Sequence, residues 1–316
     1  MSFGEDVIIG HKNILNALEK ALDNKKFAHA HLFLGEDGIG KSILANYLGK
    51  KILGSDFSRE YVDLITWKLA KNKKTVGVDE VRSIIEEVNK RPYEGENKVI
   101  IVYNMDRMTI QAQNTFLKTI EEPPKGVYIF LLCEDMTNIL DTIKSRCQIH
   151  KLKPLMSDEI TLFIRRKYGN ISSEEEKVLV SYSGGIPGKV EKFLEENSFK
   201  EMRDCIINFL IEFKDMDKIA LLQYEKIFNG YANKTEDFFQ CFLSFLRDTI
   251  IYKETGHKDF LMNIDKISEL EIVRNKFSFT QLNQIIDIIN QTIENLSKNL
   301  NSLLVFSDML LKIQEA

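Results

Sequence analysis

A glycine-rich segment with the spacing of a phosphate-binding loop begins at Gly35. The segment Gly35-Glu36-Asp37-Gly38-Ile39-Gly40-Lys41-Ser42 matches the P-loop pattern G-x-x-x-x-G-K-[ST] at all four fixed positions. A strand-like run precedes it and a helical pattern follows it, which is the context that a P-loop requires and that a chance glycine turn would lack. We therefore predict that ATP or ADP, with Mg²⁺, is held by this loop. Its candidate binding residues are Gly35, Gly38, Ile39, Gly40, Lys41 and Ser42.

Each residue type in the loop has a chemical reason to be there. Glycines let backbone N–H groups turn toward phosphate oxygens, and the helix that follows adds the positive end of its dipole. Lys41 would reach the β- and γ-phosphates, and the Ser42 hydroxyl is the candidate Mg²⁺ ligand.

Hydrolysis would need more than this loop. A P-loop ATPase places an Asp for Mg²⁺, and commonly a Glu for water, at the end of a second apolar strand. The corresponding strand ends in Tyr103-Asn104, and neither a phenol nor an amide performs both roles. Asp106 lies beyond the strand; it could be a displaced acid, but a cap for the next turn is the simpler interpretation. We expect nucleotide binding at best, with hydrolysis absent or very slow.

Ser145-Arg146-Cys147 is the third candidate. An arginine at the edge of one subunit can stabilise the γ-phosphate of ATP bound to the next, as an arginine finger in trans. Taken alone, Arg146 is more simply one of many surface arginines, so both interpretations stay open at this point.

Metal and disulfide chemistry find no support in the sequence. The four cysteines, at positions 133, 147, 205 and 241, form no CxxC pair, so reduced thiols and no structural zinc are expected. The histidines at positions 11, 29, 31, 150 and 257 show no catalytic or metal-ligand spacing and are expected to be structural.

The elements that must position these residues alternate between strands and helices up to Pro154. Short apolar runs alternate with helical patterns, which predicts a parallel α/β sheet with helices on both faces. Strands are expected at residues 31–34, 61–66, 98–103 and 127–133, and helices at about 7–30, from Ile43, at 78–90, at 110–122 and as a turn at 139–144.

After Pro154 helical periodicity replaces the strands. The apolar positions Leu282, Ile285, Ile289, Ile293 and Leu296 recur at helical spacing and need partners to pack against. We predict three units, at residues 1–155, 156–200 and 201–316: a nucleotide-binding domain, a small helical lid and a C-terminal helical domain.

Composition excludes several classes of protein. With 44% hydrophobic residues, only 16 Gly and 5 Pro in 316 residues, the chain is expected to be globular and rich in helices. Neither a membrane-spanning run nor a signal peptide is apparent, so a cytoplasmic location without membrane contact is predicted. The net charge of −4 argues against DNA binding by the overall field of the chain.

A series of motifs follows the chain in a fixed order. They are His29 to Gly35, the P-loop itself, Val78-Asp79-Glu80-Val81-Arg82, Arg91-Pro92-Tyr93-Glu94-Gly95, Lys98 to Val102, Asn114 to Pro124, and Ser145-Arg146-Cys147. Taken in this order, the motifs resemble the clamp-loader ATPase family of bacterial DNA polymerase III. The resemblance covers residues 7–155 closely and the remainder weakly, with Leu246-Arg247-Asp248 as the best local trace.

This resemblance implies an AAA+ module, RecA-like in its first domain, followed by a helical collar at residues 201–316. Motor subunits of the family, gamma/tau, carry an Asp-Glu pair where this chain has Tyr103-Asn104. The chain is therefore more similar to the accessory, delta-prime branch, which lacks working hydrolysis and donates its Ser-Arg-Cys arginine to a neighbour. Under the resemblance, Arg146 becomes the favoured arginine finger in trans.

Two features depart from the family pattern. Many members carry a four-cysteine zinc module, and residues 43–62 contain no cysteine here. Gly188, with Lys189 beside it, stands where the family has a sensor arginine. Some accessory members have also lost the P-loop that this chain keeps.

The resemblance implies a function and its partners. The chain would be a non-catalytic, stator-like subunit that assists ATP-dependent loading of a sliding clamp onto primed DNA, in a hetero-oligomer with gamma/tau and delta subunits. Two alternatives remain: an active gamma/tau-type ATPase that uses Asp106 or another acid, and a scaffold with a relic P-loop.

Overall fold

The computed structural model describes residues 8–70, 73–169, 171–298 and 300–315. The first residues of the chain, which we interpret as lacking a signal peptide, lie outside the described residues, as does Ala316 at the end of the predicted helical domain. Two compact units are present. One consists of Met1–Gly169 and Gly185–Gly188, and the other of Asn170–Gly184 and Lys189–Ala316. The predicted division into three units stays a prediction.

A five-stranded, entirely parallel sheet forms the centre of the first unit, in the order β2-β3-β4-β1-β5. This confirms the predicted α/β fold. The strands are β1 (Ala30–Leu34), β2 (Leu64–Trp67), β3 (Lys98–Val102), β4 (Val127–Cys133) and β5 (Gln148–Lys151).

Helices cover both faces of this sheet. Val81 of α3 and Phe116 of α4 pack with Leu32, Ile100 and Leu131 on one face. On the other face α2 contacts strands β2, β3 and β4. The helices of this unit are α1 (Lys12–Asp23), α2 (Lys41–Leu53), α3 (Val78–Asn89), α4 (Ile110–Glu121), α5 (Asp141–Lys144) and α6 (Ser157–Tyr168).

The amino-acid composition of the central strands agrees with their burial in the sheet. Every residue of β3 is buried, as its unbroken apolar run predicts for a strand covered on both faces. Sequence reasoning missed β5, because Gln148-Ile149-His150-Lys151 is largely exposed and pairs only with β1. An edge strand with polar residues carries no such apolar signal.

The second unit is helical, as predicted for the chain after Pro154. Its core is rich in phenylalanine: Phe209, Phe228, Phe238 and Phe242 are fully buried and their rings lie edge to face. Its helices, including α8, whose first two residues belong to the first unit, are α7 (Ser173–Ser183), α8 (Pro187–Glu195), α9 (Asn197–Glu212), α10 (Lys218–Gly230), α11 (Thr235–Thr255), α12 (Ile267–Lys276), α13 (Phe279–Ser297) and α14 (Ser302–Glu315).

Neither a membrane-spanning helix nor a cluster of metal ligands is present within the described ranges. No helix there is long and apolar enough to cross a membrane. The same residues contain no group of three or more His, Cys, Asp or Glu side chains that could hold a metal ion. All four cysteines are free thiols.

Candidate functional site

The glycine-rich loop connects the carboxyl end of β1 to the first residue of α2. Strand β1 ends at Leu34 and α2 begins at Lys41, so the predicted order of strand, loop and helix is confirmed. Gly38 and Gly40 have φ angles of 77° and 108°, which L-amino acids with side chains rarely adopt. Glycine is therefore required at both positions for the loop to make this turn.

The start of α2 suits an anion. Gly40 is the residue that precedes the helix, and it supplies no side-chain cap; the first turn contains no acidic residue. Backbone N–H groups in the first turn of a helix have no partner within the helix. A Cβ at Gly40 would meet open space, so a ligand can approach the backbone closely there. These features fit a phosphate group.

Lys41 lies across the mouth of the loop. Its Nζ donates hydrogen bonds to the carbonyl oxygens of Gly35, at 2.6 Å, and Glu36, at 2.9 Å. The ammonium group is thus held beside the backbone that would surround a phosphate. Ser42 is partly buried one residue further along, and its carbonyl accepts a hydrogen bond from Asn46. Ser42 has the chemistry of a Mg²⁺ ligand in this position.

Two residues that sequence reasoning did not connect to the loop hold it in place. The N–H of Gly188 donates to the carbonyl of Gly38 at 3.0 Å, and a Cβ on Gly188 would lie only 2.6 Å from the Gly38 Cα. The His11 ring donates through Nε2 to the carbonyl of Ile39 at 3.1 Å. The glycine at position 188 is therefore required for a close backbone contact, whereas an arginine there would collide with the loop.

Asp106, the candidate to replace the missing catalytic acid at the end of β3, already accepts hydrogen bonds from the backbone of the loop after β4. Asn104 follows β3 with a left-handed φ of 55°, and the Tyr103 ring lies 4.5 Å from the Lys68 ammonium. Asp106 accepts backbone hydrogen bonds from Glu134, at 3.2 Å, and Asp135, at 3.3 Å. Asp106 therefore caps the loop after β4, whereas the sequence suggested a cap for the turn that follows β3.

A cavity of about 340 Å³ opens beside the loop, between the carboxyl ends of β1 and β4. Its ionisable lining consists of Glu36, Glu134, Asp135 and Lys151, so negative groups outnumber the single positive one. Such a lining is unfavourable for the charge that develops on a transferring phosphoryl group.

Arg146 follows α5 at the surface of the same unit. Its Nη2 donates to Glu121 Oε1 at 3.1 Å, and its Nε lies 3.0 Å from Glu121 Oε2 without the alignment of a hydrogen bond. Its Nη1 donates to the Thr142 carbonyl at 3.0 Å. The hydrogen bond and the charge of the guanidinium lower the pKa of Glu121, and Glu121 in turn raises the pKa of Arg146.

The predicted site residues thus fall into two places. The loop residues are contiguous and lie together at the end of β1, whereas the contacts of Arg146 are to Glu121, Thr142 and Ser145. Arg146 is held by its ion pair with Glu121, and its side chain is one-third exposed.

A parallel α/β sheet with a glycine-rich P-loop between its first strand and the following helix places this unit in the P-loop class of α/β folds. The family model described as DNA polymerase III, delta subunit, matches residues 10–156. A second model, described as DNA polymerase III, delta subunit, C terminal, matches residues 199–315. The chain belongs to this family of DNA polymerase III clamp-loader subunits, which confirms the resemblance found in the sequence.

Individual relatives agree with this assignment. DNA polymerase III subunit delta' of Haemophilus influenzae is 26% identical over 227 residues, which cover 66% of this chain and 68% of that protein. DNA polymerase III subunit gamma of Buchnera aphidicola subsp. Schizaphis graminum is 28% identical over 198 residues, 56% of this chain and 54% of that protein. The Haloarcula marismortui replication factor C small subunit is 28% identical over 172 residues, 54% of this chain and 50% of that protein. The chain therefore spans about half the length of the latter two relatives.

Among solved structures, a DNA polymerase III gamma-subunit-related protein from Thermotoga maritima covers 95% of this chain and 98% of its own. Its sequence identity is 19% and its TM-score 0.48.

Proposed function

We propose that this chain is an accessory, delta-prime-type subunit of the clamp loader of DNA polymerase III, acting in the cytoplasm. Within a hetero-oligomer with gamma/tau and delta subunits, it would assist ATP-dependent loading of the sliding clamp onto primed DNA. Its own P-loop would hold ATP or ADP, with Mg²⁺ at Ser42, mainly as a structural ligand. Arg146 would stabilise the γ-phosphate of ATP bound to the neighbouring subunit.

The observation that carries the accessory role is the end of β3. Tyr103 and Asn104 stand where an ATPase needs its acids, and the nearby Asp106 is engaged by the backbone of Glu134 and Asp135. A carboxylate that already accepts two backbone hydrogen bonds is a poor substitute for a base that must orient water. This supports an accessory subunit that acts on the ATP of a neighbour, and it argues against an active gamma/tau-type ATPase.

Arg146→Ala tests the proposal that Arg146 acts on ATP bound to the neighbouring subunit. In an assembly reconstituted with gamma or tau and delta subunits, the variant is expected to lower DNA-stimulated ATP turnover by about 10³-fold at the site that receives the arginine. The matched control is Arg82→Ala, because Arg82 is also an exposed arginine in an ion pair. Unchanged turnover with Arg146→Ala, in an assembly of normal composition, would contradict the proposal.

Nucleotide binding by the isolated chain separates a working loop from a relic. We expect ATP or ADP with Mg²⁺ to bind in a calorimetric titration and to be lost with Lys41→Ala, since that change removes the only side-chain ammonium at the loop mouth within the described P-loop. Lys20→Ala, an exposed lysine on α1, is the control. Absence of binding by the wild-type chain would favour the scaffold with a relic loop. ATP turnover abolished by Lys41→Ala would favour the gamma/tau-type alternative.

A further inference from the structure

Glu121 occupies a position at which an acid is locally unfavourable. It is the last residue of α4, followed by Glu122 and then by Pro123-Pro124, which cannot continue the helix. The carboxyl end of a helix carries a partial negative charge, so two glutamates there repel it. The Arg146 guanidinium compensates this charge, over a sequence separation of 25 residues.

The geometry of the ion pair is specific. Glu121 contacts the edge of the guanidinium formed by Nε and Nη2, with oxygen distances of 3.0 and 3.1 Å. The Nη1 group donates to the Thr142 carbonyl and has only a long 3.5 Å contact with Ser145 Oγ. Each Nη carries two N–H groups. One N–H group on Nη2 and one on Nη1 therefore remain to donate to a further acceptor, at the edge of the guanidinium formed by the two Nη atoms.

We propose that Glu121 is a positioning residue for Arg146. It fixes the plane of the guanidinium from the Nε side and leaves one N–H group on each Nη for a phosphate of the neighbouring subunit. This inference rests on the proposed trans role of Arg146. It adds that the ion pair persists when the arginine acts, because the phosphate and the carboxylate use different edges of the guanidinium.

If the ion pair only stabilised the fold, loss of Glu121 would lower the stability of this chain and leave the rate of the neighbour's chemical step unchanged. Exposed ion pairs contribute little to the stability of a fold, and both side chains of this pair are partly exposed. Loss of Glu121 should therefore leave this chain folded and incorporated. A flexible arginine, in contrast, must be ordered during each catalytic cycle of the neighbour, which lowers the rate of the chemical step.

The test measures ATP turnover by the assembly reconstituted with gamma or tau and delta subunits, using Glu121→Ala, Glu121→Gln and the double variant Glu121→Ala/Arg146→Ala. Glu121→Ala should lower kcat about tenfold, the effect of losing one charge-assisted hydrogen bond, with KM for ATP unchanged. Glu121→Gln keeps an acceptor for Nη2 and should recover part of that loss. The double variant should be no slower than Arg146→Ala alone, because Glu121 acts only through the arginine.

Glu122→Ala is the matched control, since it removes the same charge one residue further along. Circular dichroism and co-purification establish that every variant folds and assembles. If Glu121→Ala and Glu122→Ala give the same turnover while Arg146→Ala is slow, the positioning role is wrong and the proposed function stands. An additive double variant would also overturn the positioning role. If Arg146→Ala itself has wild-type turnover, the proposed function fails, and this inference with it.

Discussion

His31 is fully buried and forms a hydrogen bond with the half-buried His150, which fixes the tautomer of the His31 ring. His31 Nε2 lies 2.9 Å from the Ala28 carbonyl, so this nitrogen must carry the proton and donate. His31 Nδ1 then accepts from His150 Nε2 at 2.9 Å. An added proton on His31 Nδ1 would point at the N–H of His150. This arrangement therefore requires a neutral His31 ring.

Acid should destabilise the chain through this pair. Burial and the neighbouring His150 lower the pKa of His31 to about 3, and burial lowers that of His150 to about 4, against an ordinary value of 6.5. The unfolded state therefore binds more protons below pH 6.5, and the stabilising contribution, complete above that pH, is lost progressively toward pH 3–4. Between pH 7.5 and 5 we expect a loss on the order of 4 kcal/mol, about 2 kcal/mol for each ring, measured by urea unfolding.

The matched comparison for this prediction is a variant without the titrating pair. His31→Phe/His150→Phe should flatten the dependence of unfolding free energy on pH, because the aromatic stacking with Phe27 and Phe33 can be kept. His257→Gln, at an exposed histidine, should leave the dependence as in the wild type. Equal pH slopes in all three chains would show that this pair is not the cause.

At this scale, what the sequence could predict depends on how far apart the contacting residues are. The P-loop and the Ser-Arg-Cys turn are each a continuous stretch of chain, so their chemistry can be inferred from the local sequence. Gly188, His11 and Glu121 were not identified as partners of Gly38, Ile39 and Arg146, because each contact joins segments that only the fold brings together. A glutamate at a helix carboxyl end was the one local signal that pointed to such a partner.

At the scale of elements, a buried aspartate connects the longest helix of the second unit to the loop that follows it. Asp248 of α11 is fully buried, and its Oδ2 accepts hydrogen bonds from the backbone N–H groups of Met262 and Asn263, at 2.9 and 2.7 Å. The Asn263 side chain donates to the same oxygen, and Arg247 pairs with Oδ1. These contacts give the Arg247-Asp248 pair a structural role in the second unit.

Asp248→Ala should destabilise the second unit by about 3 kcal/mol, because it leaves buried N–H groups of the loop without an acceptor. Asp248→Asn keeps an acceptor oxygen and should cost less. Urea unfolding followed by circular dichroism measures the loss, and faster proteolytic cleavage between α11 and α12 would locate it. Asp287→Ala, at an exposed position on α13, is the control. A loss no larger than that of the control would refute a structural role for Asp248.

The sequence predicts strands best where they are buried, because buried strands consist mainly of apolar residues. Apart from Lys98 at the start of β3, strands β3 and β4 are apolar, and their predicted bounds are nearly the observed ones. Helix α1 is shorter than its predicted range, because His11 adopts a left-handed conformation before it and Asn24 ends it. Strand β5 was missed, since hydrogen bonding to β1 rather than burial makes it a strand.

At the scale of the whole molecule, the helical part after residue 154 combines an acidic excess with uncovered apolar side chains. Residues 155–316 contain 20 basic and 26 acidic groups, against 23 and 21 in residues 1–154. On α14, Leu304 and Leu311 are 67% and 54% exposed and, seven residues apart, share one face of the helix. The opposite face of α14 packs inward through Phe306, Met309 and Ile313. Such a pattern agrees with the proposal that these helices join partner subunits in a collar.

Leu304→Asp should therefore weaken assembly without unfolding the chain. A charge at the centre of an apolar interface is costly to bury, whereas the same charge on an exposed helix face costs the isolated chain little. We expect co-purification with gamma or tau and delta subunits to fall at least about tenfold, with the thermal unfolding midpoint of the isolated chain unchanged within a few degrees. Ile272→Asp, at a 43% exposed position on α12, is the matched control. Wild-type recovery of partners with Leu304→Asp would exclude this face of α14 from the contact, whereas loss of recovery with both variants would indicate a contact that extends to α12.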